Sequence, residues 1–274
     1  MKSDREHLRC YVAPAAWHGT MLTPDETEAH HLVNVLRARE GEHVEVFDGA
    51  GRIGTAQIDR IGKRDAELRL LDQQTHPRPT PEITLVQALP REATMDFVVQ
   101  KAVELGAAVI IPVLSTRCVV RLKPDQFAEK SARWQRIVLN AARQSHATWL
   151  PQIADVQTLE HFFQTLETPG QGTRPTTDVG RVPSRGGIGK FDFWCVGSLA
   201  ANAQPLHAVL STVRVKRPQR VAVLIGPEGD LTPEEHRAAE AAGAIPVAFG
   251  TNVLRVDTAA LFALSVLHYE LANT

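Results

Sequence analysis

Apolar positions follow two rhythms along this chain. Between residues 8 and 72 they mostly alternate with polar ones. His43-Val44-Glu45-Val46-Phe47-Asp48 has period two, and Gly54-Thr55-Ala56-Gln57-Ile58 repeats it after a glycine turn. Glu67-Leu68-Arg69-Leu70 adds a third candidate strand. Short alternating runs separated by turn residues predict a small β-rich domain, a barrel. One short helix is predicted within it, from Pro24 to Arg37, with Thr23 as its cap. From residue 83 onward the pattern changes. Residues 83–89 and 107–114 are nearly unbroken apolar runs, as in strands covered on both faces. Between them Met95, Val98, Val99, Ala102 and Val103 recur at helical spacing, and Gly106 ends the helix. Strand, helix, strand predicts an α/β domain with a parallel sheet and crossover helices. Residues 193–197, 221–225 and 245–249 extend the sheet, and a last helix buries Leu261, Leu264, Leu267 and Leu271.

Prolines 77, 79 and 81 mark an extended linker, which places the domains at 1–74 and 75–274. Residues 168–190, rich in Gly, Pro, Thr, Ser and Arg, are expected to form a flexible insertion. At 274 residues and 43% hydrophobic the chain can bury a substantial core. A formal net charge of -1 gives no global attraction to polyanions, so nucleic-acid binding requires a local basic patch. The best one surrounds a helix over 130–145, where Arg133, Arg136, Asn140 and Arg143 fall at helical spacing behind Arg117, Arg121 and Lys123. By charge alone this is a solvated helix face; its functional alternative is a phosphate-contacting surface. Cys10, Cys118 and Cys195 are scattered, so neither a disulfide framework nor a zinc site is indicated. His30 and His31 are adjacent rather than four apart, so no helical metal pair is expected. The charged opening residues contain no apolar signal region and no apolar run reaches membrane-spanning length, which predicts a cytoplasmic protein with no membrane partner.

Two glycine motifs compete for the chemistry. Gly49-Ala50-Gly51-Arg52-Ile53-Gly54 matches the dinucleotide fingerprint letter for letter. That fingerprint needs a helix to open at the loop so that pyrophosphate sits on its N-terminus. Here a strand pattern follows, so a hairpin turn is predicted and a nicotinamide-dependent oxidoreductase is disfavoured. The second motif runs from Val221 to Glu235. Val221–Ile225 reads as a buried strand, Gly226 and Gly229 bracket a turn, and Thr232-Pro233-Glu234-Glu235 fits an N-cap, a first-position proline and a capping box. A loop between a strand's C-terminal end and a helix is where open α/β sheets place ligands.

Leu224-Ile225-Gly226-Pro227-Glu228-Gly229, together with Phe249-Gly250 through Val253-Leu254-Arg255 to Thr258-Ala259, resembles the RsmE family of SPOUT-superfamily methyltransferases. So do His30-His31-Leu32 with Val35-Leu36-Arg37, Met95-Asp96 with Gln100 through Gly106, and Arg117 through Arg121 followed by Arg133-Trp134. The resemblance implies a PUA-like N-terminal barrel that binds RNA and a C-terminal domain with a deep trefoil knot. It implies S-adenosyl-L-methionine as cofactor, a homodimer with the active site at the subunit interface, and methylation of uridine N3 in small-subunit (16S) ribosomal RNA. Carried onto this chain, the cofactor-binding residues are Gly197, Leu199, Ile225, Gly226, Gly229, Phe249, Gly250, Val253, Leu254 and Thr258. Arg255 and Glu228 are the catalytic candidates, and Arg37, Arg117, Arg121, Arg133, Arg136 and Arg143 the RNA-binding ones; no metal is implied. Several features depart from the family pattern: Asp230 replaces a loop glycine, Asn252 an arginine, Asp257 a glutamate, His146-Ala147 a Gly/Arg pattern, and the stretch after Gly197 lacks an acidic residue. They leave open a second class of function, an RNA-binding member with impaired catalysis, or a methyltransferase with another RNA target.

Overall fold

A computed structural model describes residues 8–62, 64–120, 122–167 and 190–272. Residues 168–189 of the expected insertion therefore lie outside the described residues. The chain divides into two compact units.

The first unit contains the residues up to Arg78 and also Ala142–Leu150. Its strands are β1 (Arg9–Tyr11), β2 (Met21–Leu22), β3 (His43–Phe47), β4 (Arg52–Ile61) and β5 (Ala66–Thr75). They form one sheet in the order β1-β3-β4-β5-β2. Among the described residues that hydrogen-bonded path is open, so the expected barrel is not closed by a ladder between β1 and β2. The alternation read from the sequence holds: Leu22, Val44, Val46, Ile58 and Leu68 point into one buried cluster with Leu32.

The helix of this unit differs from its expected form. It starts at Glu26, not Pro24, because Asp25 rather than Thr23 caps it; the Asp25 carboxylate accepts the Glu28 N–H at 2.9 Å. After α1 (Glu26–His30) the chain widens into a π-helical turn over His31–Val35, and Arg37 leaves with φ 52°. The return of Ala142–Leu150 to this unit was also not legible locally. Buried Arg9 explains it. Its Nε donates to Glu45 at 2.6 Å, its Nη2 to the Ala147 carbonyl at 2.9 Å, and its Nη1 to the Ala142 carbonyl. The guanidinium also lies 4.0 Å over the Phe47 ring.

The second unit holds a parallel sheet. Its strands are β6 (Glu82–Ala88), β7 (Val109–Leu114), β8 (Gln152–Ile153), β9 (Gln157–Thr158), β10 (Phe193–Gly197), β11 (Gln204–Pro205), β12 (Arg220–Ile225) and β13 (Ile245–Ala248). The order is β11-β13-β10-β12-β6-β7-β8, with β9 also on β7, and every described pairing is parallel. The helices are α2 (Glu92–Glu104), α3 (Phe127–Ser145, whose residues from Ala142 on belong to the first unit), α4 (Leu159–Glu167), α5 (Leu206–Val213), α6 (Pro233–Ala241) and α7 (Val256–Leu271). Strands β6 and β12 are almost wholly buried, which explains their unbroken apolar sequence. Val86, Ile111, Phe162, Trp194 and Leu224 anchor one core cluster. Met95, Val98, Val99, Ala102 and Val103 are the buried face of α2, as their spacing predicts.

Candidate active site

Three neighbouring strands end together. Strand β10 lies between β13 and β12, and all three run parallel. Gly197, the last residue of β10, is level with Val247 of β13, while Val196 is level with Leu224 of β12. Their C-terminal loops therefore leave the same edge of the sheet side by side, the usual ligand position of an open α/β sheet. Order within the loops is local. The Ser198 N–H is held by the Val247 carbonyl at 2.9 Å, and the Ala200 N–H by the Ser198 hydroxyl at 3.2 Å. Gly197 is required by a close approach: a Cβ there would come within 2.9 Å of the Phe249 ring. Phe249 in turn packs on Phe262 of α7 with ring centroids 5.7 Å apart.

The loop after β12 is fixed from its helix. Thr232 caps α6 and Pro233 takes the first helical position. Glu235 closes the capping box by accepting the Thr232 N–H at 2.8 Å while its own N–H reaches the Thr232 hydroxyl. Glu235 also accepts the N–H and hydroxyl of Thr116 at 2.7 and 3.0 Å. Arg117 clamps the loop from the same side, donating to the Gly229 carbonyl at 3.0 Å and the Leu231 carbonyl at 3.4 Å. Glu228 ties it to α2 by accepting the Arg91 N–H at 3.2 Å.

Together these loops enclose a cavity of about 590 Å³. Gly197, Leu199, Ile225, Gly226, Glu228, Phe249, Gly250, Val253, Leu254 and Arg255 all line it. The sequence thus names ten lining residues that stand up to 58 positions apart, and the fold brings them together. Gly229 and Thr258 do not line it. The open side of Gly229 faces the Arg117 side chain, and the Thr258 hydroxyl turns to Asp257. Thr94 of α2, Ser198 and Asp230 line the cavity without having been assigned to it. Thr94 gave no local signal, although it directly precedes the Met95-Asp96 block.

The lining has two chemical characters. Leu199 and Val253 are 65% and 74% exposed, so both offer apolar surface at the cavity. The charged lining residues are Glu228, Asp230, Asp257 and Arg255, three carboxylates to one guanidinium, a balance that suits a cationic ligand. Arg255 is the N-cap residue of α7 in extended conformation, and its side chain is 83% exposed. Asp257 lies 3.7 Å from its Nε and accepts the Thr258 N–H at 2.9 Å, one of the N–H groups that a helix start leaves open. Asp230 has φ 61° and its Oδ1 accepts the Leu231 N–H at 2.7 Å. Burial pushes the Asp230 carboxyl upward, but His236, the Leu231 N–H and the Arg117 charge outweigh it and hold it below the ordinary range.

The N-terminal part of the chain, residues 24–71, matches a family model described as an RNA methyltransferase PUA domain. Residues 76–268 match one described as an RNA methyltransferase domain. Ribosomal RNA small subunit methyltransferase E of Synechocystis is 31% identical over 95% of this chain and 77% of its own length. This chain belongs to the ribosomal RNA small subunit methyltransferase E family. The Bacillus subtilis member is 26% identical, covering 89% of this chain and 88% of the relative. Two solved structures extend the likeness to the fold of nearly the whole chain. A Legionella pneumophila methyltransferase in complex with bound S-adenosylmethionine superposes with TM-score 0.79 at 27% identity, over 97% of this chain and 98% of that one. The Neisseria gonorrhoeae family member bound to S-adenosylmethionine gives 0.76 at 28%, over 96% and 98%.

The basic residues fare differently from the cavity. Arg37 and Arg136 are exposed. Arg133 is tied to Glu92 at 2.7 Å and to Asp96, so its charge is neutralised on the protein. Arg117 donates from Nη1 to the loop after β12. Arg143 is buried against Glu28, which corrects its assignment to an RNA-facing surface. Its side chain is only 8% exposed, and Glu28 stands 115 positions away, beyond any local count of charge. Arg121 lies outside the described residues. Gly49–Gly54, as expected, is the hairpin between β3 and β4, with no helix following. Among the described residues no group of three or more His, Cys, Asp or Glu is arranged to hold a metal, and no helix is long and apolar enough to cross a membrane.

Proposed function

We propose that this chain is an S-adenosylmethionine-dependent methyltransferase that modifies N3 of a uridine in small-subunit (16S) ribosomal RNA. The observation that carries the proposal is the meeting of three strand-end loops around one cavity inside the family's methyltransferase domain. The cavity suits the cofactor in size and chemistry. Its volume is that of a small-molecule site, its rim offers exposed Leu199 and Val253 to an apolar ligand surface, and its carboxylates favour a positive ligand. When bound, S-adenosylmethionine supplies a methyl group activated on a sulfonium.

The protein's own task is then mostly positioning. Main-chain groups at 197–200, 225–228 and 249–254 hold the cofactor. Glu228 braces the middle loop through the Arg91 N–H rather than acting on a proton. Arg255 reaches the rim with its guanidinium unburied. There it stabilises the negative charge that develops on the uracil as the N3 proton leaves. The N-terminal unit contributes RNA affinity through exposed Arg37, with Arg136 adding to it from the second unit. The proposal includes a trefoil knot in the second unit and a homodimer with the active site at the subunit interface.

The test is methylation of unmodified 16S rRNA, free and within small subunits, by purified protein, read by nucleoside mass spectrometry. One N3-methyluridine per RNA is expected, with a dimeric mass by light scattering. Methylation at another base would overturn the assigned target. Cofactor binding without methylation would point to the impaired, RNA-binding class instead.

A further inference from the structure

We propose that Asp230 is a cofactor-binding residue of this cavity: its carboxylate meets a cationic group of S-adenosylmethionine. This rests on the cofactor assignment made above and adds a contact specific to this chain.

Position comes first. Asp230 lines the cavity and stands in the left-handed region at φ 61°, where a glycine would sit without strain and where Asp is tolerated only at a cost. The loop has nonetheless fixed this side chain rather than left it to wander. Its Oδ1 takes the Leu231 N–H at 2.7 Å and faces His236 Nε2 at 3.4 Å. His236 is itself 14% exposed, and its Nδ1 is buried with no partner among the described residues, so the ring is committed to this one contact.

Occupancy comes second. A carboxylate has two oxygens, and only Oδ1 is engaged; among the described residues Oδ2 has no hydrogen-bond partner and is not buried. The other two cavity carboxylates also engage one oxygen each, Glu228 on the Arg91 N–H and Asp257 on the Thr258 N–H with Arg255 beside it. Asp230 differs in how it is held: a backbone N–H and a largely buried imidazole ring both fix its Oδ1, which preorganises the carboxylate with its second oxygen to spare. Charge comes third. The His236 and Leu231 contacts and the nearby Arg117 charge hold its carboxyl below the ordinary range although the side chain is two-thirds buried. An ionised, half-engaged carboxylate on a ligand cavity selects a cation or a strong donor. S-adenosylmethionine carries two cations, a sulfonium and an α-ammonium.

Calorimetric titration of the full-length protein tests this with three ligands: S-adenosylmethionine with both cations, S-adenosylhomocysteine with the ammonium only, and 5′-methylthioadenosine with neither. Asp230→Asn keeps the shape and tolerates the left-handed backbone; Asp230→Gly removes the side chain and relieves the strain. Both variants should bind S-adenosylmethionine at least about ten-fold more weakly and 5′-methylthioadenosine within about two-fold of the parent. S-adenosylhomocysteine weakening in step identifies the ammonium as the partner; its retention identifies the sulfonium. Unchanged S-adenosylmethionine affinity, or equal weakening of all three ligands, overturns the contact. A parent protein that binds none of them overturns the cofactor assignment itself.

Discussion

Two glycine loops of this protein look alike in sequence and do opposite things. In the hairpin at 48–54, Asp48 is 1% exposed and uses both oxygens inward. Oδ1 accepts the N–H groups of Ala50 and Arg52, and Oδ2 accepts Arg52 Nε at 2.6 Å. A Cβ on Gly51 would strike the His76 carbonyl and the Trp149 ring at 2.6 Å, so that glycine serves packing. In the loop at 226–231, Asp230 uses one oxygen, the backbone lines a cavity, and a capped helix follows. The difference lies in the next element. A strand that folds back consumes the loop's polar groups, whereas a helix that leads away keeps the strand end open.

That contrast can be broken in order of expected effect. Arg255→Ala should cut methyl incorporation at least about 100-fold. Its melting temperature should stay at the parent value, because the guanidinium is exposed and its ion-pair partner among the described residues is Asp257 alone, at 3.7 Å. A large loss of stability would make Arg255 structural instead. Asp48→Ala should do the reverse: about 2–3 kcal/mol of stability lost from three broken hydrogen bonds and a stranded Arg52, with cofactor affinity of the folded protein unchanged. Chemical denaturation beside calorimetry separates the two effects, and weakened cofactor binding in this variant would erase the division between the loops.

Glu235→Ala removes the capping box and the Thr116 contacts of α6. A cost of about 1 kcal/mol is expected, with a modest rise in the cofactor dissociation constant as the loop before the helix loosens. The smallest effect concerns pH. Asp230 is held below the ordinary carboxylate value of 3.8, so its ionised form favours the folded state. Its contribution is complete above that value and fades as pH falls through the folded value. The stability difference between parent and Asp230→Asn, followed by denaturation from pH 6 to 3, should therefore shrink only at the acid end. A difference that grew with acid would reverse the sign.

Sequence carried the local features of the fold well and its distant pairings poorly. The capping box at Thr232 was legible because all its members lie within four residues. The parallel sheet was legible from unbroken apolar strands, and ten of the twelve cofactor and catalytic candidates that the family resemblance supplied line one cavity. The cap at Asp25 was misread as Thr23 because both residues are good caps, and only the Glu28 N–H chooses between them. Arg143 read as a surface cation because its partner Glu28 lies on another element, and Arg133 for the same reason, with Glu92 and Asp96 on α2. Ionic pairing across elements has no periodicity to read.

Hydrogen–deuterium exchange with and without S-adenosylmethionine tests the central claim most directly. Protection is predicted in peptides covering 197–200, 225–230 and 249–256, with none in the hairpin at 48–54. Absent protection at the three strand ends, or equal protection in the hairpin, would contradict the account.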